Sequence, residues 1–186
     1  MLYLLDANVL ITAQNQYYSA DMVPEYWDWL LHMGIRGALK MPLETFEEVA
    51  DGAKTRKDAL SSWIKDPGVE SALVLDEEAD PSIVQAVLAN AYATDLTDTE
   101  VEQIGQDPFL IAYALADKRG RCVVSTETPK PKSTRANRKV PNACADVGVQ
   151  FCDTFSMLRR LGFTTGWRTA TSETRSIPTS TLLDAR

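Results

Sequence analysis

Histidine is nearly missing from this chain of 186 residues: His32 stands alone. That scarcity all but excludes a His dyad, a Ser-His-Asp triad and histidine-rich metal ligation, and it leaves carboxylates to carry any acid–base or metal chemistry. Cysteine is scarce too. Cys122, Cys144 and Cys152 are odd in number and form no CxxC pair, so a disulfide framework or a zinc site is not expected, and a reducing cytoplasm fits. Long apolar runs are also lacking: no stretch approaches the ~20 residues of a membrane helix. Met1-Leu2-Tyr3-Leu4-Leu5 is cut short by Asp6 with no basic region before it, which makes it a poor signal peptide and a good buried strand.

Cations are absent from one long stretch. Between Asp66 and Asp117 there is no Lys or Arg, whereas Lys118 through Lys139 carries eight basic residues against one acid, Glu127. That segment is net +7, leaving −14 for the rest of a chain whose net charge is −7. An acidic protein is a poor partner for nucleic acid on average, but such asymmetry suggests a basic lip beside an acidic pocket. Lys130, Lys132, Arg135, Arg138 and Lys139 are the candidate RNA-binding residues, with a plain solvated loop as the alternative. The 45% apolar and 24% charged content suits one compact domain. Past Phe163 the composition turns to Thr, Ser and Arg, so the domain is placed at residues 1–163 and a loosely held tail at 164–186.

Apolar runs at Leu2–Leu5, Ala38–Pro42, Ala72–Leu75, Arg121–Ser125 and Val149–Cys152 read as strands. Helical spacing or start signals mark Ala7–Gln14, Pro24–Met33, Leu43–Asp51, Thr55–Ile64, Pro81–Tyr92, Thr97–Ile104 and Thr154–Leu161. Asp107-Pro108 reads as an N-cap followed by Pro at N1, opening an apolar helix over Phe109–Ala116. Thr128–Lys139 reads as a mobile loop. Strands alternating with helices imply a three-layer α/β/α sandwich with a central parallel sheet, in which ligands collect at the carboxyl ends of the strands.

Four acids then fall where they can meet. Asp6 ends the first strand, Asp107 opens a buried helix, Glu127 follows the strand ending at Ser125, and Glu48 lies on the helix after the second strand. Converging carboxylates repel, and Mg²⁺ or Mn²⁺ removes the conflict with its preference for oxygen ligands. Such an ion can activate water and clamp a phosphate. Each acid also has a structural reading: Asp6 and Asp107 as helix caps, Glu48 as a solvent-facing residue rivalled by Glu44 and Glu47, and Glu127 as part of the loop.

Leu4-Leu5-Asp6-Ala7-Asn8-Val9-Leu10 resembles the opening motif of PIN domains. Glu47-Glu48-Val49, Asp107 through Ala114, and Cys122 through Glu127 resemble their other acid-bearing segments. Val140-Pro141-Asn142 and Thr154 through Arg159 are similar to a PIN-like subfamily described as a domain of unknown function, the DUF4411 type. The resemblance, covering about Met1 to Phe163, implies an endoribonuclease dependent on Mg²⁺ or Mn²⁺, often the VapC-like toxin of a toxin–antitoxin pair. Such toxins act on RNA, commonly form homodimers and are silenced by a small cognate antitoxin. It further implies that Asp6, Glu48 and Asp107 hold metal, that Glu127 assists, and that Asn8, Ser125 and Thr126 position Asp6 or the substrate. PIN domains usually carry Asp where Glu127 stands, so Asp146 and Asp153 remain fallbacks. Three rivals stay open: a haloacid-dehalogenase-like phosphatase, against which Asn8 counts; a PIN-like binding module with feeble catalysis; and an RNA-maturation or defence nuclease without an antitoxin.

Overall fold

Parallel strands need crossover connections, and this chain supplies helices for every one of them. In the computed structural model, which describes residues 1–54 and 58–169, the elements run β1 (Leu2–Leu5), α1 (Ala7–Thr12), α2 (Pro24–Ile35), β2 (Leu39–Lys40), α3 (Leu43–Gly52), α4 (Ala59–Trp63), α5 (Pro67–Leu73), α6 (Pro81–Val87), α7 (Asp98–Ile104), α8 (Asp107–Ala116), β3 (Arg121–Val124), α9 (Val140–Val147), β4 (Gln150–Cys152) and α10 (Thr154–Arg160). The sheet order is β2-β1-β3-β4, every neighbour parallel.

Side-chain alternation sends each strand into two cores. Tyr3, Leu5, Cys122 and Val124 pack with Trp27, Leu30, Phe46 and Met157 on one face. Leu4 and Val123 pack with Val87, Leu110, Ile111 and Val140 on the other. The result is the expected three-layer α/β/α sandwich. Among the described residues, no helix is long and apolar enough to cross a membrane.

Several expectations shift. Of the strand expected at Ala72–Leu75, Ala72 and Leu73 instead close α5, which Asp66 caps and Pro67 opens. Only Val74 makes a bridge, to Met41. The helix expected from Ala7 to Gln14 stops at Thr12 and passes into a π turn over Ala13–Tyr17, and α6 ends in another over Leu88–Tyr92. Of the helix expected at Thr55–Ile64, α4 is observed, while residues 55–57 lie outside the described residues. Past Phe163 the chain turns back onto α2. Trp167 donates from Nε1 to the Glu25 carbonyl at 3.0 Å and lies over His32 with ring centroids 4.8 Å apart. Arg168 pairs with Asp28 at 2.5 Å. Residues 170–186 of the expected tail lie outside the described residues.

Helix α2 crosses α5 closely because Gly34 has no side chain: a Cβ there would meet the Ala72 carbonyl oxygen and Leu73 Cδ2, both at 2.7 Å. Gly34→Ala should therefore lower unfolding free energy by about 1–3 kcal/mol through overpacking, measured by urea denaturation. An unchanged midpoint would show that the two helices part freely.

Candidate active site

The strand order reverses between β1 and β3, and a crevice at such a switch point opens at the carboxyl ends of the strands. Leu5 pairs with Val124, so the next residues, Asp6 and Ser125, lie side by side. Asp6 is 3% exposed. Its amide donates to the Val124 carbonyl at 2.9 Å. One carboxylate oxygen accepts the Asn8 amide at 3.3 Å, capping α1. The other accepts Ser125 Oγ at 2.5 Å and Asn8 Nδ2 at 3.3 Å. Ser125 Oγ in turn accepts the Glu127 amide at 3.1 Å. The expected bracing by Asn8 and Ser125 is thus built from direct contacts, while Thr126 Oγ1 lies 3.5 Å from Thr12 Oγ1. Burial pushes the Asp6 carboxyl above the ordinary carboxylate range; the bonds from Ser125 and Asn8 oppose the shift, and the charge of Glu127 adds to it.

Helix α3 is pinned to the end of β1 by Thr45, whose Oγ1 donates to the Leu5 carbonyl at 3.3 Å and the Pro42 carbonyl at 3.0 Å. Glu48 lies one turn after Thr45 on the same side of the helix. It stands largely in solvent, yet partial desolvation, reinforced by Asp6, raises its carboxyl. Its rivals look elsewhere. Glu44 acts on Tyr113, and Glu47 acts on Lys54. Of the three, Glu48 is the one coupled to both Asp6 and Asp107.

Asp107 is not the helix cap that its sequence suggests. Helix α8 begins one residue earlier than expected, with Asp107 as its first residue and Gln106 at the cap, and no side chain caps it. The carboxyl is therefore left free of the helix backbone while the apolar body of α8 draws it inward. Its pKa rises from 3.8 to about 8, first through burial, then through Asp6, Glu127 and Glu48, with Lys139 opposing. Glu127 accepts Lys139 Nζ at 2.5 Å on one oxygen and the Val140 amide at 2.8 Å on the other. The fallback acids are committed elsewhere: Asp146 pairs with Arg138, and Asp153 caps α10 through Ser156.

Asp107 thus lies in the field of three acids from three other segments, Asp6, Glu127 and Glu48. Among the described residues, no three His, Cys, Asp or Glu side chains are drawn tightly enough to clasp an ion. The donor chemistry of Asp6, Glu48, Asp107 and Glu127 nevertheless fits a hard cation, being all oxygen. A cleft of about 770 Å³ lies elsewhere, lined by Leu43, Val74, Glu70 and Glu77 among others and by none of the four acids.

The basic segment is less open than its composition suggests. Arg135 grips Asp95 at 2.7 Å and Glu100 at 2.6 Å, holding itself at a left-handed φ of 53° that few side-chain-bearing residues adopt. Arg138 and Lys139 are also paired with acids. Among the described residues, Lys130 and Lys132 have no carboxylate partner. Composition groups Lys139 with the candidate RNA-binding loop, whereas its ammonium sits on Glu127, a pairing that no local pattern signals.

Over residues 3–165 the chain matches a family described as a domain of unknown function, DUF4411. Comparisons with curated proteins and with solved structures return no match.

A carboxyl whose folded pKa is raised contributes stability that is complete below its unfolded value and is lost as pH climbs through the folded one. Without metal, the melting temperature should therefore fall as pH rises from 3.8 through about 8. The acids with lowered values, such as Glu100 and Asp153, work in the opposite sense, but only at the acid end of that window, since their ordinary values are 4.5 and 3.8. Asp107→Asn should flatten the fall in thermal unfolding with EDTA present; a slope as steep as wild type would contradict the assignment.

Proposed function

We propose that this chain, which belongs to the DUF4411 family of unknown function, is a PIN-like endoribonuclease that hydrolyses RNA phosphodiesters with Mg²⁺ or Mn²⁺. One observation carries the reading. Among the described residues Asp107 has no hydrogen-bond partner to offset its burial, and that burial, with the charges of Asp6, Glu127 and Glu48, pushes its carboxyl up to about 8. A fold gains nothing from gathering repelling carboxyls around a half-buried Asp107 unless something positive comes to them.

Asp6, Glu48 and Asp107 would hold the ion, with Glu127 assisting. When bound, such an ion lowers the pKa of a water and draws charge off a phosphate oxygen. The chain's own residues contribute orientation. Ser125 and Asn8 fix the carboxylate of Asp6, and Thr45 ties the helix of Glu48 to the strand of Asp6. Hydrolysis adds water across one P–O bond: the water oxygen joins phosphorus, and the ribose oxygen leaves with a proton. No histidine is required, in keeping with a chain that has His32 alone. By the resemblance of its motifs, the biological setting is a type II toxin–antitoxin pair, with a homodimeric toxin silenced by a small antitoxin. An RNA-maturation or defence nuclease would use the same chemistry.

Purified protein should cut a mixed RNA pool with Mn²⁺ and not with EDTA, with mapped ends locating the cuts. Asp6→Asn or Asp107→Asn should abolish cleavage while unfolding stays cooperative, since each removes a charge and little volume; undiminished cleavage in either would overturn the proposal. The unpaired cations Lys130 and Lys132 should carry the loop's contribution to RNA binding. Reversing both should flatten the dependence of log affinity on log salt by about 1–2, whereas Arg135→Ala should leave that slope alone. Equal slopes in all three proteins would remove the loop from RNA binding.

A further inference from the structure

Among the basic residues between Lys118 and Lys139, Lys139 is paired with one of the acids just described. Arg121 is held by Glu77, Arg135 by Asp95 and Glu100, Arg138 by Asp146, and Lys118 by the Val147 carbonyl. Lys139 Nζ sits 2.5 Å from Glu127 Oε1, and the amide of the next residue, Val140, takes Glu127 Oε2 at 2.8 Å. Two consecutive residues at the start of α9 therefore occupy both oxygens of Glu127. The pair is partly withdrawn from water, with side chains 34% and 20% exposed for Lys139 and Glu127, so salt screens it less than an open surface pair. The influence of the ammonium reaches past its partner: it opposes the shift of Asp107, and Asp107 and Asp6 both favour its charged form.

We infer that Lys139 is the site's built-in counter-ion, an ammonium tethered beside the acids that an arriving divalent cation must work against. This inference rests on the metal-binding reading above and deepens it. With all four acids ionised, the cluster and Lys139 together are strongly negative but less so than the acids alone. A divalent ion entering among Asp6, Glu48 and Asp107 gains from each acid and loses to Lys139, because like charges repel at short range. Lys139 also keeps Glu127 satisfied, so recruiting Glu127 to metal means loosening that pair. The lysine thereby tunes metal affinity downward and stabilises the metal-free fold, trading tight binding for a site that can stand empty.

The test is calorimetric titration of Mn²⁺ into the full chain, comparing wild type, Lys139→Met and Lys139→Arg, alongside melting in EDTA. Lys139→Met keeps most of the side chain's length and removes the charge. It should bind Mn²⁺ about 10-fold tighter and melt lower without metal, while Lys139→Arg should match wild type in both. A purely structural clasp would lower the melt and leave Mn²⁺ affinity unmoved or weaker, and that result overturns the inference while leaving the metal reading intact. Wild type and Lys139→Met both failing to bind Mn²⁺ would sink the metal reading, and this inference with it. Adding Asp107→Asn to Lys139→Met should recover part of the lost metal-free stability, since the two charges speak to each other; strictly additive losses would show that Lys139 serves Glu127 alone.

Discussion

Negative charges taken out of water repel more strongly the less solvent stands between them, and the carboxyl end of this sheet is arranged around that conflict. The parallel pairing of β1 with β3 puts Asp6 against Ser125 in the middle of the sheet. The apolar body of α8, buried from Leu110 through Ala114, then brings Asp107 into the same field. Neither placement can relax without giving up core. The scaffold that stabilises the fold is the one that forces the acids together, so their charge is a structural consequence that must be met by a proton, an ammonium or a metal ion.

Each kind of compensation has its place. Ser125 and Asn8 meet Asp6 with hydrogen bonds, Lys139 meets Glu127 with a charge, and Asp107 is left with a raised pKa and, among the described residues, no partner of its own. The rest of the basic segment is spent on a different task. Arg135 and Arg121 reach back to Asp95, Glu100 and Glu77, acids from the stretch that has no Lys or Arg of its own. Charge asymmetry along the chain therefore becomes complementarity in space. Little of the net +7 segment is left to make a basic surface, apart from residues such as Lys130 and Lys132.

Much of this was legible in the sequence because it depends on local pattern. Apolar runs ending in Asp6 and Ser125 mark buried parallel strands, and the alternation of strands with helices implies a switch point at which those ends meet. What was not legible depends on distance or on competition. The run Ala72–Leu75 suits a strand or a helix equally; the start signal at Asp66-Pro67 decides for a helix as far as Leu73, and Val74 alone bridges to Met41. Asp107-Pro108 has the composition of a cap, yet α8 starts a residue sooner, which frees the carboxyl. The partners of Arg135 lie 35 and 40 residues upstream, and nothing in the local sequence of Lys139 announces Glu127. The sequence picks Glu48 over Glu44 and Glu47 only by resemblance; the orientation of α3, which Thr45 sets from the end of β1, is not written in the local pattern.

The most direct examination of a shared cation is anomalous diffraction at the manganese edge from crystals grown with Mn²⁺. The account predicts an anomalous peak bounded by the carboxylates of Asp6, Glu48 and Asp107. Manganese found only at other acids, with Asp6 and Asp107 sharing no ion, would contradict it.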